Sequence, residues 1–198
     1  NLKDFYDGYH FSPRNMVDIY NPFSLINALD TQNLNSYWAS SGATSMLPTF
    51  VKDVELRLQD FEDCMILRNT LETSDVTGGG SELFLYQSGY LTIKSCQGNI
   101  YHLGFPNEEV KQALYECVLP ALTLRQEADT QSLQAQVYQY LEFKELGKAM
   151  KAIKALVADV PYSNKKLASM NMEERYRLII STILNSVGLR VEVERMIS

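Results

Sequence analysis

The chain has 198 residues, 45% of them apolar, 21% charged and 11% aromatic, with a formal net charge of −6. That length can bury one or two real cores, and the composition is globular rather than disordered or collagenous. No apolar run approaches the roughly 18 to 20 residues that span a bilayer, and no basic-then-apolar leader stands at Asn1.

Three cysteines, Cys64, Cys96 and Cys117, contain no C-x-x-C pair, and His10 and His102 are the only histidines, so a zinc site has too few ligands at suitable spacing. Reduced thiols packed as small hydrophobes in a cytoplasmic protein are expected. The charge is divided unevenly. Residues 1–143 carry 8 Lys and Arg against 18 Asp and Glu, whereas 144–198 carry 10 against 6. An acidic first part argues against a broad phosphate-binding surface there, because neutralising phosphates is what gives nucleic-acid affinity.

In chain order, Tyr6-Asp7-Gly8-Tyr9-His10-Phe11 gathers aromatic residues around an Asp-Gly turn. Asn21-Pro22 reads as N-cap and first helical position, followed by Phe23, Leu25, Ile26 and Leu29 on a helix that fades near Asp30. Tyr37 and the single tryptophan, Trp38, follow a polar linker. After a break at Ser40-Ser41-Gly42, the spacing of Leu47, Phe50, Val51, Val54 and Leu58 predicts an amphipathic helix. Residues 60–80 hold Phe61, Met65, Ile66 and Leu67, which suit helix or strand equally, and end in the joint Gly78-Gly79-Gly80 before a short helix at Ser81 to Ser88.

The next stretch organises the rest. Tyr90 to Ile93 and Ile100 to Leu103 are β-branched and aromatic runs separated by Gln97-Gly98-Asn99, which is a hairpin signal. A turn at Gly104 to Asn107 leads into a helix with Val110, Ala113, Leu114, Cys117 and Val118 on one face. A short helix, a two-stranded wing and a covering helix suggest a winged-helix module. Beyond a polar connection after Thr123, Leu133, Val137, Tyr140 and Leu141, then Leu146, Met150, Ile153, Leu156 and Val157, predict a helical hairpin ending at Val160-Pro161. A last helix runs from Asn171 to Gly188, and an extended piece starts at Leu189. A strand there has no following partner in the sequence, so an incomplete α/β unit cut from a longer protein is expected. The fold class expected is mainly α with a small β-hairpin: a winged-helix-like domain, a helical hairpin and that incomplete unit.

The segments YDGYHFS (Tyr6 to Ser12), YNPFSLINAL (Tyr20 to Leu29), Tyr37-Trp38, QSGYLTIK (Gln87 to Lys94), LGFPNEEV (Leu103 to Val110) and ERYRLIISTILNSVGLRVEVE (Glu174 to Glu194) together resemble the prokaryotic AAA-ATPase-like proteins that carry a C-terminal PD-(D/E)XK nuclease-like domain. The resemblance implies an ATPase lid tail over 1–37, a winged-helix-like connector over 38–125, and over 126–198 a helical region leading into the start of the nuclease-like domain. ATP and Mg would serve the complete protein, and the partners of this stretch would be the ATPase and nuclease-like domains of the same polypeptide.

The phosphate-binding pattern G-x-x-x-x-G-K-[ST] is not in the sequence, and the G-R-I-D and E-x-K segments of the nuclease core would lie beyond Ser198. No catalytic residue and no cofactor are therefore expected within these residues. Two site readings remain open. Glu174 matches the accessory metal ligand on a helix of such nucleases, but Asn171-x-x-Glu174 is also capping-box spacing. Lys144, Lys148, Lys151 and Lys154 fall on one helix flank, either as a nucleic-acid backbone stripe or as a solvated face. The short helix at Ser81 to Ser88 would be the recognition helix of a winged helix, yet it has no Lys or Arg, and residues 37–104 hold 4 basic residues against 8 acidic. A protein-packing connector is preferred over a DNA reader.

Overall fold

The computed structural model describes residues 1–41, 61–72, 80–123, 126–158, 160 and 171–189. The helix expected over 47–58 lies outside them, as does all but the first residue of the strand expected from Leu189. The protein is mainly helical with a small antiparallel sheet, as expected. The chain divides into two compact units, residues 1–46 with 56–114, and residues 47–55 with 115–198. Segment 1–37 shares a unit with the sheet, and the division falls at 114/115.

In the first unit, α1 (Leu2–Tyr6) and α2 (Pro22–Thr31) precede a 3-10 turn at Trp38–Ser41. Asn21 caps α2 as the sequence predicts: its side chain accepts from the backbone N–H of Phe23 (3.0 Å) and Ser24 (3.2 Å), with Pro22 in the first turn. Ser24 and Ala28 are buried on this helix, while Phe23, Ile26 and Leu29 are exposed. The strands are β1 (Cys64–Leu67), β2 (Thr92–Gln97) and β3 (Ile100–Gly104), in the spatial order β1-β3-β2 with antiparallel pairings. Two helices, α3 (Arg68–Leu71) and α4 (Gly80–Gln87), lie between β1 and β2 in the chain.

The hairpin is one strand residue longer at its end than its aromatic run and starts later, at Thr92. Gly98 takes φ +59° at the first position of the two-residue loop, the place where a type II′ turn requires glycine. Ile93 pairs with Leu103 and Ser95 with His102, so Lys94 is the extra residue of a β-bulge.

The helix α5 (Glu108–Thr123) follows, and Val110, Ala113 and Leu114 are fully buried within its first-unit part. In the second unit, α6 (Glu127–Glu142), α7 (Leu146–Ala158) and α8 (Met172–Ser186) surround a core that includes Val137, Ile153, Leu156, Ile179 and Ile183. Full burial of one such side chain contributes roughly 1.5–3 kcal/mol. The buried face of α7 is Ala149, Ala152, Ile153 and Leu156; Leu146 and Met150, expected on that face, are exposed. The helical hairpin turns at Phe143 to Glu145, where Lys144 takes φ +58°.

Candidate functional site

The sequence segments that stand out most converge in the first unit on one buried carboxylate. Asn107 caps α5, its Oδ1 accepting from the Val110 N–H at 3.1 Å, and this places Glu109 in the first turn facing inward with no exposed surface. The Glu109 Oε1 accepts from the backbone N–H of Tyr37 (2.7 Å) and of Trp38 (2.8 Å). Its Oε2 and the hydroxyl of Ser24 on α2 are both buried with no hydrogen-bond partner among the described residues. Burial raises the Glu109 pKa above the ordinary carboxylate value, while the contacts from Trp38, Ser24 and Tyr37 pull it back. The helix N-terminus also favours negative charge at this position. Trp38 in turn stands edge-on to Tyr90, ring centroids 4.6 Å apart.

A second set of contacts fixes the aromatic strap before α2. The Tyr6 hydroxyl donates to the Asn35 carbonyl (2.9 Å) and accepts from the Asn35 N–H (3.0 Å). The Asn107 side chain donates to the Asp7 carbonyl at 3.0 Å. Gly8, at φ +96°, lies so close to the Pro106 carbonyl that a Cβ would stand 2.3 Å from its oxygen, which reserves the position for glycine. The Tyr9 hydroxyl donates to the Gly89 carbonyl (3.1 Å), and Tyr9 and Ile19 exchange backbone hydrogen bonds that close the loop between them.

His10 sits at the end of the strap on β2. Its N–H donates to the Thr92 hydroxyl at 2.7 Å, and that hydroxyl donates to the His10 carbonyl at 3.0 Å. The ring Nδ1 donates to the Ile93 carbonyl (2.8 Å), and Nε2 pairs with the Asp18 carboxylate (2.8 Å). Lys3 reaches the other Asp18 oxygen at 3.3 Å. The hydrogen bond from His10, then that from Lys3, holds the Asp18 pKa below its usual value. The Lys94 ammonium donates to the Pro106 carbonyl at 3.3 Å, its stem running beside Gly104, and partial desolvation lowers its pKa. An Asp-His pair is the orienting half of a nucleophile-activating triad. Here the second ring nitrogen is taken by a carbonyl, and the nearby Thr92 hydroxyl is tied at both its donor and its acceptor to His10 backbone. The arrangement binds chain to chain.

The chain is similar, at 27% identity over 210 aligned residues, to the uncharacterized protein in the vnfD 5′ region of Azotobacter chroococcum mcd 1. The match takes in 98% of this chain and 38% of that protein. The chain therefore spans well under half the length of the relative it matches. No family model matches the sequence, and no solved structure does.

The site residues suggested by sequence lie elsewhere and do not come together. Glu174 closes a reciprocal capping box at the start of α8: its N–H donates to the Asn171 side chain at 2.9 Å, and its Oε2 accepts from the Asn171 N–H at 3.3 Å. The four lysines do not share one helix flank, because Lys144 belongs to the turn before α7. Lys148 pairs with Glu145 at 2.9 Å and stands over the Tyr140 ring, whereas Lys151 and Lys154 project into solvent. His102 contacts Asp63 at 3.1 Å on the sheet. Sequence reasoning did not single out Glu109 or Asn107 as individual residues. The signal for Asn107 was present, as a cap residue directly before a helix, but nothing local marks Glu109 as buried. Among the described residues, no helix is long and apolar enough to cross a membrane, and no cluster of three His, Cys, Asp or Glu side chains is placed to hold a metal ion.

Proposed function

We propose that these residues form a non-catalytic connector of a longer ATPase- and nuclease-like protein, working in the cytoplasm to couple an ATPase head to a PD-(D/E)XK-like domain. The observation that carries this reading is the convergence on Glu109. Residues of YNPFSLINAL, the Tyr37-Trp38 pair and LGFPNEEV, three of the segments on which the resemblance rests, meet there as packing and hydrogen bonding. YDGYHFS and QSGYLTIK meet beside them through Tyr9, His10, Gly89 and Thr92. The Tyr37 and Trp38 N–H groups, the His10 ring and the Thr92 hydroxyl are each engaged in holding one of these segments to another.

Two further points support the proposal. The order of β1, two helices and a hairpin, with β3 between β1 and β2, suits a winged-helix-like module. Its candidate recognition helix, α4, reads GSELFLYQ and carries no cation for phosphate contact. The share of the Azotobacter protein left uncovered is ample for two further domains. ATP and Mg would be held outside these residues, since the phosphate-loop pattern is not in the sequence. Coupling would pass through packed elements with two arrangements. The test is hydrogen exchange of the longer natural protein with and without ATP. Altered protection in the strap, α2 or α5 is expected, and unchanged protection throughout would overturn the proposal. Salt-dependent binding of a DNA duplex by the 198-residue chain would favour a nucleic-acid module instead.

A further inference from the structure

The end of the helical hairpin in the second unit combines features that neither the core nor a phosphate-binding stripe explains. Phe143 is 68% exposed, Leu146 64% and Met150 51%. Leu146 and Met150 are four residues apart and share a face of α7, with Phe143 in the turn just before it. This apolar strip borders the buried face without joining it. At 100° per residue, Lys154 lies about 40° and Lys151 about 100° further round the helix from Met150, so lysines line one side of the strip. Four lysines, Lys144, Lys148, Lys151 and Lys154, stand here against two carboxylates, Glu142 and Glu145, of which Glu145 is paired with Lys148. Lys144, Lys151 and Lys154 have no ion pair among the described residues, so the local field beside the strip is positive.

We propose that this strip is a docking surface for an acidic amphipathic helix of a partner protein. Leu146 and Met150, one helical turn apart, with Phe143 exposed in the turn before them, offer apolar anchors for the stripe of a helix, and the flanking lysines fit carboxylates on the partner's polar edge. Charge complementarity selects the partner's sign and speeds its encounter. A DNA backbone would use the lysines but would gain nothing from three large exposed apolar side chains beside them.

The test uses the 198-residue chain and a fluorescein-labelled amphipathic peptide of about five turns, leucine on one face and glutamate on the other. Anisotropy at physiological salt is read against the same peptide carrying lysine for glutamate, and against a labelled DNA duplex. The acidic peptide is expected to bind and the basic one not. The pairs Leu146→Ser with Met150→Ser, and Lys151→Glu with Lys154→Glu, should each weaken binding at least about tenfold, as removal of an anchor does. Both pairs are exposed, and unchanged circular dichroism will show that the fold is kept. Equal binding of the two peptides, no binding of the acidic one, or binding of the duplex that the serine pair leaves untouched would each overturn the proposal.

Discussion

Replacing Glu109 by alanine removes the acceptor shared by the half-buried Tyr37 N–H and the buried Trp38 N–H. An orphaned buried donor costs about 1–3 kcal/mol, the half-buried one adds less, and relief of carboxylate desolvation offsets part of that, so a net loss of about 1–3 kcal/mol is expected. Glu109→Gln keeps an acceptor oxygen in place and should lose less than about 1 kcal/mol. Trp38 provides the assay. It is the only tryptophan, is 6% exposed, and packs on Tyr90, so its fluorescence in urea reports unfolding of the unit that holds it. With a slope of about 1–3 kcal/mol per molar urea, the alanine variant should shift the midpoint down by about 0.3–3 M. An unchanged midpoint for alanine, or equal losses for alanine and glutamine, would refute the role given to Glu109.

The raised Glu109 pKa gives a pH dependence of definite sign. The folded state holds the proton more tightly than the unfolded one, so stability is full below the unfolded carboxylate pKa and declines as pH rises through the folded value. Glu109→Gln should flatten that part of the Trp38 stability profile, and an identical profile in the variant would contradict it. Gly8→Ala forces a Cβ against the Pro106 carbonyl at positive φ and should destabilise the first unit by at least about 2 kcal/mol, measured by the same fluorescence. At α8, Asn171→Ala should cost about 1 kcal/mol in thermal unfolding, whereas Glu174→Gln, which can still complete a capping box, should change it by less than about 0.5 kcal/mol. A larger effect of Glu174→Gln that depends on added Mg would favour the metal-ligand role.

Features announced by short-range chemistry were readable in advance. The cap at Asn21-Pro22, the capping box at Asn171 and Glu174, and the turn at Gly98 each depend on residues within four positions. β1 was not readable, because four residues are too few for a period. Its alternation of buried Cys64 and Ile66 with exposed Met65 and Leu67 is imposed by pairing with β3, distant in sequence. The sequence pattern places Lys144 on a helix because left-handed backbone is normally announced by glycine or asparagine, and lysine gives no such warning. Periodicity locates the inner face of α7 but not its borders, which is why it places the exposed Leu146 and Met150 in the core. Glu109 shows the limit most clearly. An acidic residue in a first helical turn suits a solvated surface, and only Tyr37 and Trp38, more than seventy positions earlier, make it an interior group.

That separation bears on how the protein is made. The strap and α2 precede by 71 to 100 residues the turn that anchors them through Trp38, Tyr37 and Asp7. At roughly 5–20 residues per second, a ribosome has extruded this aromatic stretch for on the order of ten seconds before Asn107 and Glu109 emerge. During that interval Tyr6, Tyr9 and Trp38 lack their native cover, so nascent chains stalled upstream of Asn107 are natural clients for chaperones.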